Sequence, residues 1–270
     1  MSARLFIAAL AALGAAPASA QMVPSTCYAL AREMPGVSFV SQRASSPAPF
    51  RVAALQRDEV RITYAQHATY IIESAEGVVV ATDYSGHAGP GVVPDVVTMN
   101  KAHSSHFTPA PDPGIGLVLR GWNPEGGPAR HAETVGDVYI RNVPTDIQRY
   151  GAFEEDGNSI FVFEVAGLCI GHLGHLHHEL TNDHYAAIGR LDIVMVPVDG
   201  GYTMSQTGIG DIAARLRSSI VLPMHRFRTP IERFLAQIPD FKVERRAEAS
   251  FTISMRGLPE RPTVILLSGV

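Results

Sequence analysis

Two histidines three residues apart, His103 and His106, lie in "KAHSSHFTP" (101–109), directly after "PDVVTMN", whose apolar run reads as a buried strand. Imidazoles gathered where a strand ends are natural zinc ligands, because each neutral ring offers a nitrogen lone pair and loops let several converge. The lysine and two serines mixed among them leave three readings open: a metal site, the remains of one, or neither.

Two further clusters share that address. Of the eleven histidines, His172, His175, His177, His178 and His184 fall within "GHLGHLHHELTNDH" after the strand-like "LCIGHL", and His225 closes "SIVLPMH". The C-terminal ends of buried strands are where loops converge and ligands bind. A lone loop histidine is ordinarily solvated or bonded to backbone, which is the state expected of His87, His131 and His184. His177 and His178 are adjacent and point in different directions, so at most one faces inward. Other chemistries find little support: the chain has no G-x-S-x-G elbow, no G-x-x-x-x-G-K-[ST] loop and no evident Cys-His arrangement, and "GPG" (89–91) and "GIG" (208–210) are turn glycines.

The elements that must position these residues begin at Arg51. "VRITYA", "TYIIES", "GVVVATD" and "DVVTM" read as one run of strands, and "GLVLRG", "DVYIRNV", "SIFVFEV" and "LCIGHL" as another. Helices are expected over 181–189, 205–218 and 229–238, separated by the buried strands "DIVMVPV" and "SIVLPM", and "ASFTISM" and "TVILLSG" close the chain. Strands first, then strands alternating with helices, imply two mixed sheets packed face to face with helices outside, an αββα sandwich. The polar loops 108–114 and 123–129 are long enough to lie over a site.

The first 20 residues have another purpose. Arg4, the apolar run 5–16 and the small residues Ala18 and Ala20 form the pattern of a secretory signal peptide, with cleavage expected after Ala20. Residues 21–50 then hold a short helix (25–36) and the linker "SSPAP" (45–49), and 51–270 form one domain. No later run is apolar enough to span a membrane, so a periplasmic or secreted location is expected. The net charge of −4 and the lack of a Lys/Arg run argue against nucleic acid as a partner; a small-molecule substrate is expected instead. Cys27 and Cys169 enter an oxidising compartment, where they either pair or stay as separate thiols.

"QHATYIIES…GVVVATD", "NKAHSSHF", "GHLGHLHHELT", "VPVDGGYTM" and "VLPMH" resemble, in order and spacing, the metallo-β-lactamase superfamily, and are most similar to its branch of lactonase-like hydrolases related to ascorbate-6-phosphate lactonase. The likeness runs over residues 55–230 and implies a metal-dependent hydrolase. It also implies changes at the metal ligands. Lys101 stands where the family has its first histidine, Ser105 where it has an aspartate, Thr145 where relatives often have His-Asp, and His175 where an aspartate bridges two metals. Of the first metal's ligands only His103 remains, whereas the second keeps His106 and His225 and gains His175. Three neutral imidazoles with an open fourth position suit one catalytic zinc ion.

On the same resemblance, Lys101 could supply charge beside a substrate oxygen, Ser105 could orient a ligand ring, His67 matches a histidine that lies near the metals without always binding them, and Asp83 would support the ligand loop. Two readings therefore compete, an exported mononuclear hydrolase acting on a small ester, lactone, amide or phosphoester, and a non-catalytic binding module that keeps the fold. A third, weaker one is a metal carrier using the 172–184 histidines.

Overall fold

The computed structural model describes residues 25–28, 54–149 and 151–270; the signal segment, the linker and all but the first four residues of the expected N-terminal helix lie outside them. The strands are β1 (Glu59–Gln66), β2 (Thr69–Glu73), β3 (Val79–Ala81), β4 (Val96–Met99), β5 (Leu117–Arg120), β6 (Ala132–Val135), β7 (Val138–Arg149), β8 (Ala152–Val165) and β9 (Leu168–His172). Helices alternate with strands from there: α1 (Asn182–Ile188), β10 (Ile193–Pro197), α2 (Gln206–Leu216), β11 (Ile220–Met224), α3 (Ile231–Leu235), then β12 (Lys242–Arg245), β13 (Ser250–Ser254) and β14 (Thr263–Leu266).

Two mixed sheets result. The first has the order β13-β1-β2-β3-β4-β5 and the second β12-β14-β11-β10-β9-β8-β7-β6. Alternation along each strand sends one set of side chains between the sheets: Val60, Ile62, Tyr70, Ile72 and Val96 of the first meet Phe161, Phe163, Ile193, Met195 and Leu222 of the second. The alternate residues of the second sheet, such as Val162, Val194 and Val221, are covered by Ile209, Ile212, Ala213 and Phe234 of the helices. On the first sheet, Ile71, Val97 and Met99 are covered by loop residues, among them Tyr84, Phe107, Ile115 and Trp122.

Strands β9, β10, β11 and β14 run parallel, so β9, β10 and β11 release their chains at one edge. The first sheet is tied to that edge by two bonds. The Tyr70 hydroxyl donates to the Pro223 carbonyl at 2.8 Å, and His172 Nε2 bonds the Ala68 carbonyl at 2.8 Å.

β6, β12 and the full length of the β7–β8 hairpin go beyond the sequence reading. Thr145, Ile147 and Arg149 pair with Asn158, Glu154 and Ala152 past the apolar stretches. The acids of "EED" (154–156) disrupt the apolar alternation that marks strands. The helices expected over 181–189, 205–218 and 229–238 are present, the last as the shorter α3.

Residues 25–28 form a turn held against the second sheet by a Cys27–Cys169 disulfide (Cα–Cα 5.9 Å). Glu164 anchors the same turn. Its carboxylate accepts bonds from the Ser25 hydroxyl, from Thr26 N–H at 2.8 Å and Cys27 N–H at 3.3 Å, and from buried Arg141 Nε at 3.1 Å. The bridge closes a sequence separation of 142 residues. Replacing both cysteines with serine is therefore expected to lower the unfolding free energy by about 2–5 kcal/mol, measured by denaturant titration.

Candidate metal centre

Four imidazoles converge at the strand-end edge. One ring nitrogen from each of His67, His103, His106 and His225 lies within 4.8 Å of the others. They come from both sheets: His67 from the β1–β2 turn, His103 and His106 from the loop after β4, and His225 from the residue following β11. The His175 ring, from the loop after β9, stands 5.1, 4.7 and 4.8 Å from the rings of His103, His106 and His225.

The backbone is bent to bring them there. His67, Asp83, His225 and Phe227 have φ of 44°, 43°, 54° and 52°, four of the seven left-handed non-glycine residues among those described. Such positions cost about 1–3 kcal/mol each and persist where surrounding structure enforces them. Here the His225 N–H donates to the His67 carbonyl at 2.7 Å, locking one strained turn onto another.

Two carboxylates orient the rings. His106 Nδ1 lies 2.7 Å from Asp83 Oδ2, both side chains fully buried, and His225 Nδ1 lies 2.8 Å from Asp199 Oδ1. A carboxylate oxygen that accepts from Nδ1 selects the tautomer with hydrogen there and leaves a lone pair on Nε2. His106 Nε2 and His225 Nε2 are buried with no protein partner, as are His67 Nε2 and both ring nitrogens of His175.

The carboxylates are themselves held. Asn100 donates to Asp83 Oδ1 at 2.8 Å. Asp199 accepts the N–H groups of Gly201 at 2.8 Å and Thr203 at 3.2 Å, the Tyr202 N–H, and the Thr203 hydroxyl at 2.5 Å. Burial alone would raise the Asp199 pKa, but the bonds from His225, Thr203, Gly201 and Tyr202 outweigh it and hold the carboxyl below its usual range.

Four of the rings are kept neutral. Burial, reinforced by the neighbouring imidazoles, lowers the pKa of His67 to about 3 and pushes those of His103, His106 and His175 down as well. Neutral imidazoles with orphaned, buried lone pairs are costly unless something accepts them. A divalent cation fits that need, and the donor set, all nitrogen, suits zinc or a neighbouring transition metal better than magnesium or calcium.

The other anticipated residues are placed as follows. Ser105 Oγ bonds His103 Nδ1 at 2.8 Å, so it orients that ring. Lys101 is engaged in an ion pair with Glu154 of β8. The buried Thr145 hydroxyl accepts Asn158 Nδ2 at 2.7 Å, and the same asparagine accepts the His175 N–H at 2.8 Å. His172 is used up by the Ala68 carbonyl and the Gly174 N–H. His178 bonds the backbone of Asp146 and Glu179. His184 completes the cap of α1, His131 bonds the Arg120 carbonyl, and His87 is exposed. The His177 ring lies 4.7 Å from that of His175, one shell further out.

Three contributors escape a sequence reading. Asp199 was signalled only by Asp-Gly-Gly after a strand, a pattern that also marks an ordinary turn. Phe227 packs its ring 4.8 and 4.9 Å from His67 and His225 although 48% exposed, and Tyr202, 66% exposed, stands 5.0 Å from Phe227. No short motif announces Phe227, and Tyr202 lies in "VPVDGGYTM" with nothing to mark it as a site residue.

A family model described as a beta-lactamase superfamily domain matches residues 61–225, more than half of the chain. The chain belongs to this superfamily. Among solved structures, it is similar to a protein from Thermotoga maritima described as a candidate zinc-dependent hydrolase of the metallo-β-lactamase superfamily, with 28% identity, a TM-score of 0.59, and 77% of this chain and 98% of that one covered. A candidate metal-dependent hydrolase from Parabacteroides distasonis (15% identity, TM-score 0.53, 67% and 89% covered) and a metallo-hydrolase from the archaeon Ignicoccus hospitalis (17%, 0.52, 78% and 97%) share the metallo-β-lactamase fold. No curated protein matches in sequence.

Two measurements test the centre. Asp199→Asn should weaken metal affinity by about 10–100-fold in a competitive chelator titration, because the uncharged amide keeps one acceptor oxygen for the five donors, His225 among them, that the carboxylate serves. In the metal-free chain, a His67 whose pKa is lowered to about 3 binds no proton at pH 5, whereas the unfolded chain's histidine, with its ordinary value of 6.5, does. Stability of the metal-free protein should therefore be fully present above about pH 6.5 and fall as pH drops toward 3, read from melting temperature against pH.

Proposed function

We propose that this protein is an exported metal-dependent hydrolase acting on a small ester, lactone, amide or phosphoester, with one zinc ion held by imidazoles. The observation that carries the reading is the gathering of buried, unpartnered ring nitrogens from His67, His106, His175 and His225 beside an exposed aromatic wall. Three of His67, His103, His106 and His225 would suffice to hold the ion, since a catalytic zinc site needs room left for water or substrate. When bound, zinc supplies a Lewis acid that polarises a substrate carbonyl or phosphoryl oxygen and generates a nucleophile from water near neutral pH.

The chain's own residues do the rest. Asp83 and Asp199 fix the His106 and His225 rings, which limits reorganisation during the reaction. His175, neutral and with both ring nitrogens unpartnered, can accept a hydrogen bond at one nitrogen while donating one at the other. Lys101 can approach a substrate oxygen only by giving up Glu154. Phe227 and Tyr202 offer ring faces to an apolar portion of the substrate and exclude water from one side.

Export is supported by the Arg4-to-Ala20 signal pattern and by the Cys27–Cys169 bridge, which persists in oxidising compartments. Among the described residues, no helix is long and apolar enough to cross a membrane. The lactonase-like branch is part of the proposal, supported by the order of the five motifs.

The test is a panel of lactones, aryl esters, amides and phosphoesters assayed with zinc-loaded and chelator-treated protein. Turnover of at least one class, falling on the order of a hundredfold or more on metal removal, is expected. Phe227→Ala should raise KM for an aryl substrate about twofold to tenfold with a smaller change in kcat, since only a ring contact is lost. No turnover of any class by protein that holds zinc would instead favour a binding module on the same fold.

A further inference from the structure

A second recognition site lies on the path between the two sheets. The chain leaves β5, the edge of the six-stranded sheet, at Arg120 and crosses through residues 121–131 to β6, the edge of the eight-stranded sheet. The crossing borders a cavity of about 420 Å³ whose lining includes Val118, Arg120, Trp122, Pro124, Arg130 and His131.

This cavity is built rather than loosely draped. Asn142 Oδ1 accepts the His131 N–H at 2.7 Å, and its Nδ2 donates to the Ala129 carbonyl at 3.0 Å and the Ser159 hydroxyl at 2.9 Å. Ser159 in turn donates to the Gly121 carbonyl at 2.8 Å, and His131 Nε2 closes on the Arg120 carbonyl at 2.7 Å. Pro124 and Pro128 fix the backbone between these anchors. Both ends of the crossing are thus pinned, and the Trp122 ring is set edge-on against Phe107, 5.7 Å away.

Its charge is uncompensated. Arg120 and Arg130 are exposed and line the same cavity, and no ion pair among the described residues involves either. In a chain of net charge −4 with 26 acids, the lining of this cavity carries two guanidiniums and no carboxylate. A guanidinium is a planar fork matched to two oxygens of a carboxylate or phosphate, and an indole face takes a flat apolar group.

We propose that this cavity binds a small anion, a carboxylate or a phosphate, carried on a flat apolar group, with Arg120 and Arg130 taking the anion and Trp122 the flat part. The proposal stands whether or not the histidines hold a metal. The Trp122–Phe107 contact puts the cavity one residue along the chain from His106, so a ligand here borders the ligand loop without touching the centre.

Trp122 is the chain's only tryptophan, so its emission reports on this cavity alone. Titrating the chain in phosphate-free buffer with phenyl phosphate should change that emission saturably. Benzyl alcohol, flat but uncharged, should give no saturable change, and inorganic phosphate should bind more weakly than phenyl phosphate. Arg120→Ala/Arg130→Ala, at exposed positions, should weaken phenyl phosphate binding about tenfold or more without altering metal content or melting temperature. Repeating the titration after EDTA treatment should leave the wild-type affinity unchanged. Equal affinity in the double variant, loss of binding with EDTA, or no saturable response in the wild type would overturn the proposal.

Discussion

The pairing of a buried carboxylate with a buried imidazole, made twice, is the interaction on which the rest of this site depends. Asp83–His106 belongs to the first sheet and Asp199–His225 to the second. Each pair sets a tautomer, and together they aim two Nε2 lone pairs into one space only because the sheets are packed face to face with their strand ends aligned. The inter-sheet bonds of Tyr70 and His172 hold that alignment. The fold is thus the positioning device, and the strained turns at His67, Asp83 and His225 are where it is felt.

Using both aspartates behind the rings has a chemical consequence. No carboxylate belongs to the group of converging ligand atoms, so the donors carry no negative charge and a bound divalent ion would keep its full charge toward a substrate. Ser105 and Thr145 follow the same pattern, since each hydroxyl is turned to a neighbouring ring or amide. Asn158 links Thr145 to the His175 backbone, so the two belong to one buried polar network.

Much of this was legible in the sequence, and the limits have physical causes. The apolar strands wrote their period plainly, and His103, His106 and His225 follow strand ends that any pattern reading finds. His67 and His175 were also legible as site residues, but which of them joins the other three depends on where separate turns place a ring in space. The structure groups His67 with them and sets His175 beside the group, because the β1–β2 turn folds over onto the strand carrying His225. Strand β12 carries charges on three of its four residues and β6 is polar at its centre, so neither shows an apolar period. Cys27–Cys169 was undecidable from spacing, since 142 residues separate partners that only the closed fold brings together.

X-ray absorption at the zinc edge of the zinc-loaded protein tests the central claim most directly. One ion per chain, surrounded by nitrogen at about 2.0–2.1 Å with the outer-shell scattering of imidazole rings, is the expected result. A metal–metal vector at about 3.5–4 Å, the signature of a dinuclear site, or protein that retains no zinc at all, would contradict it.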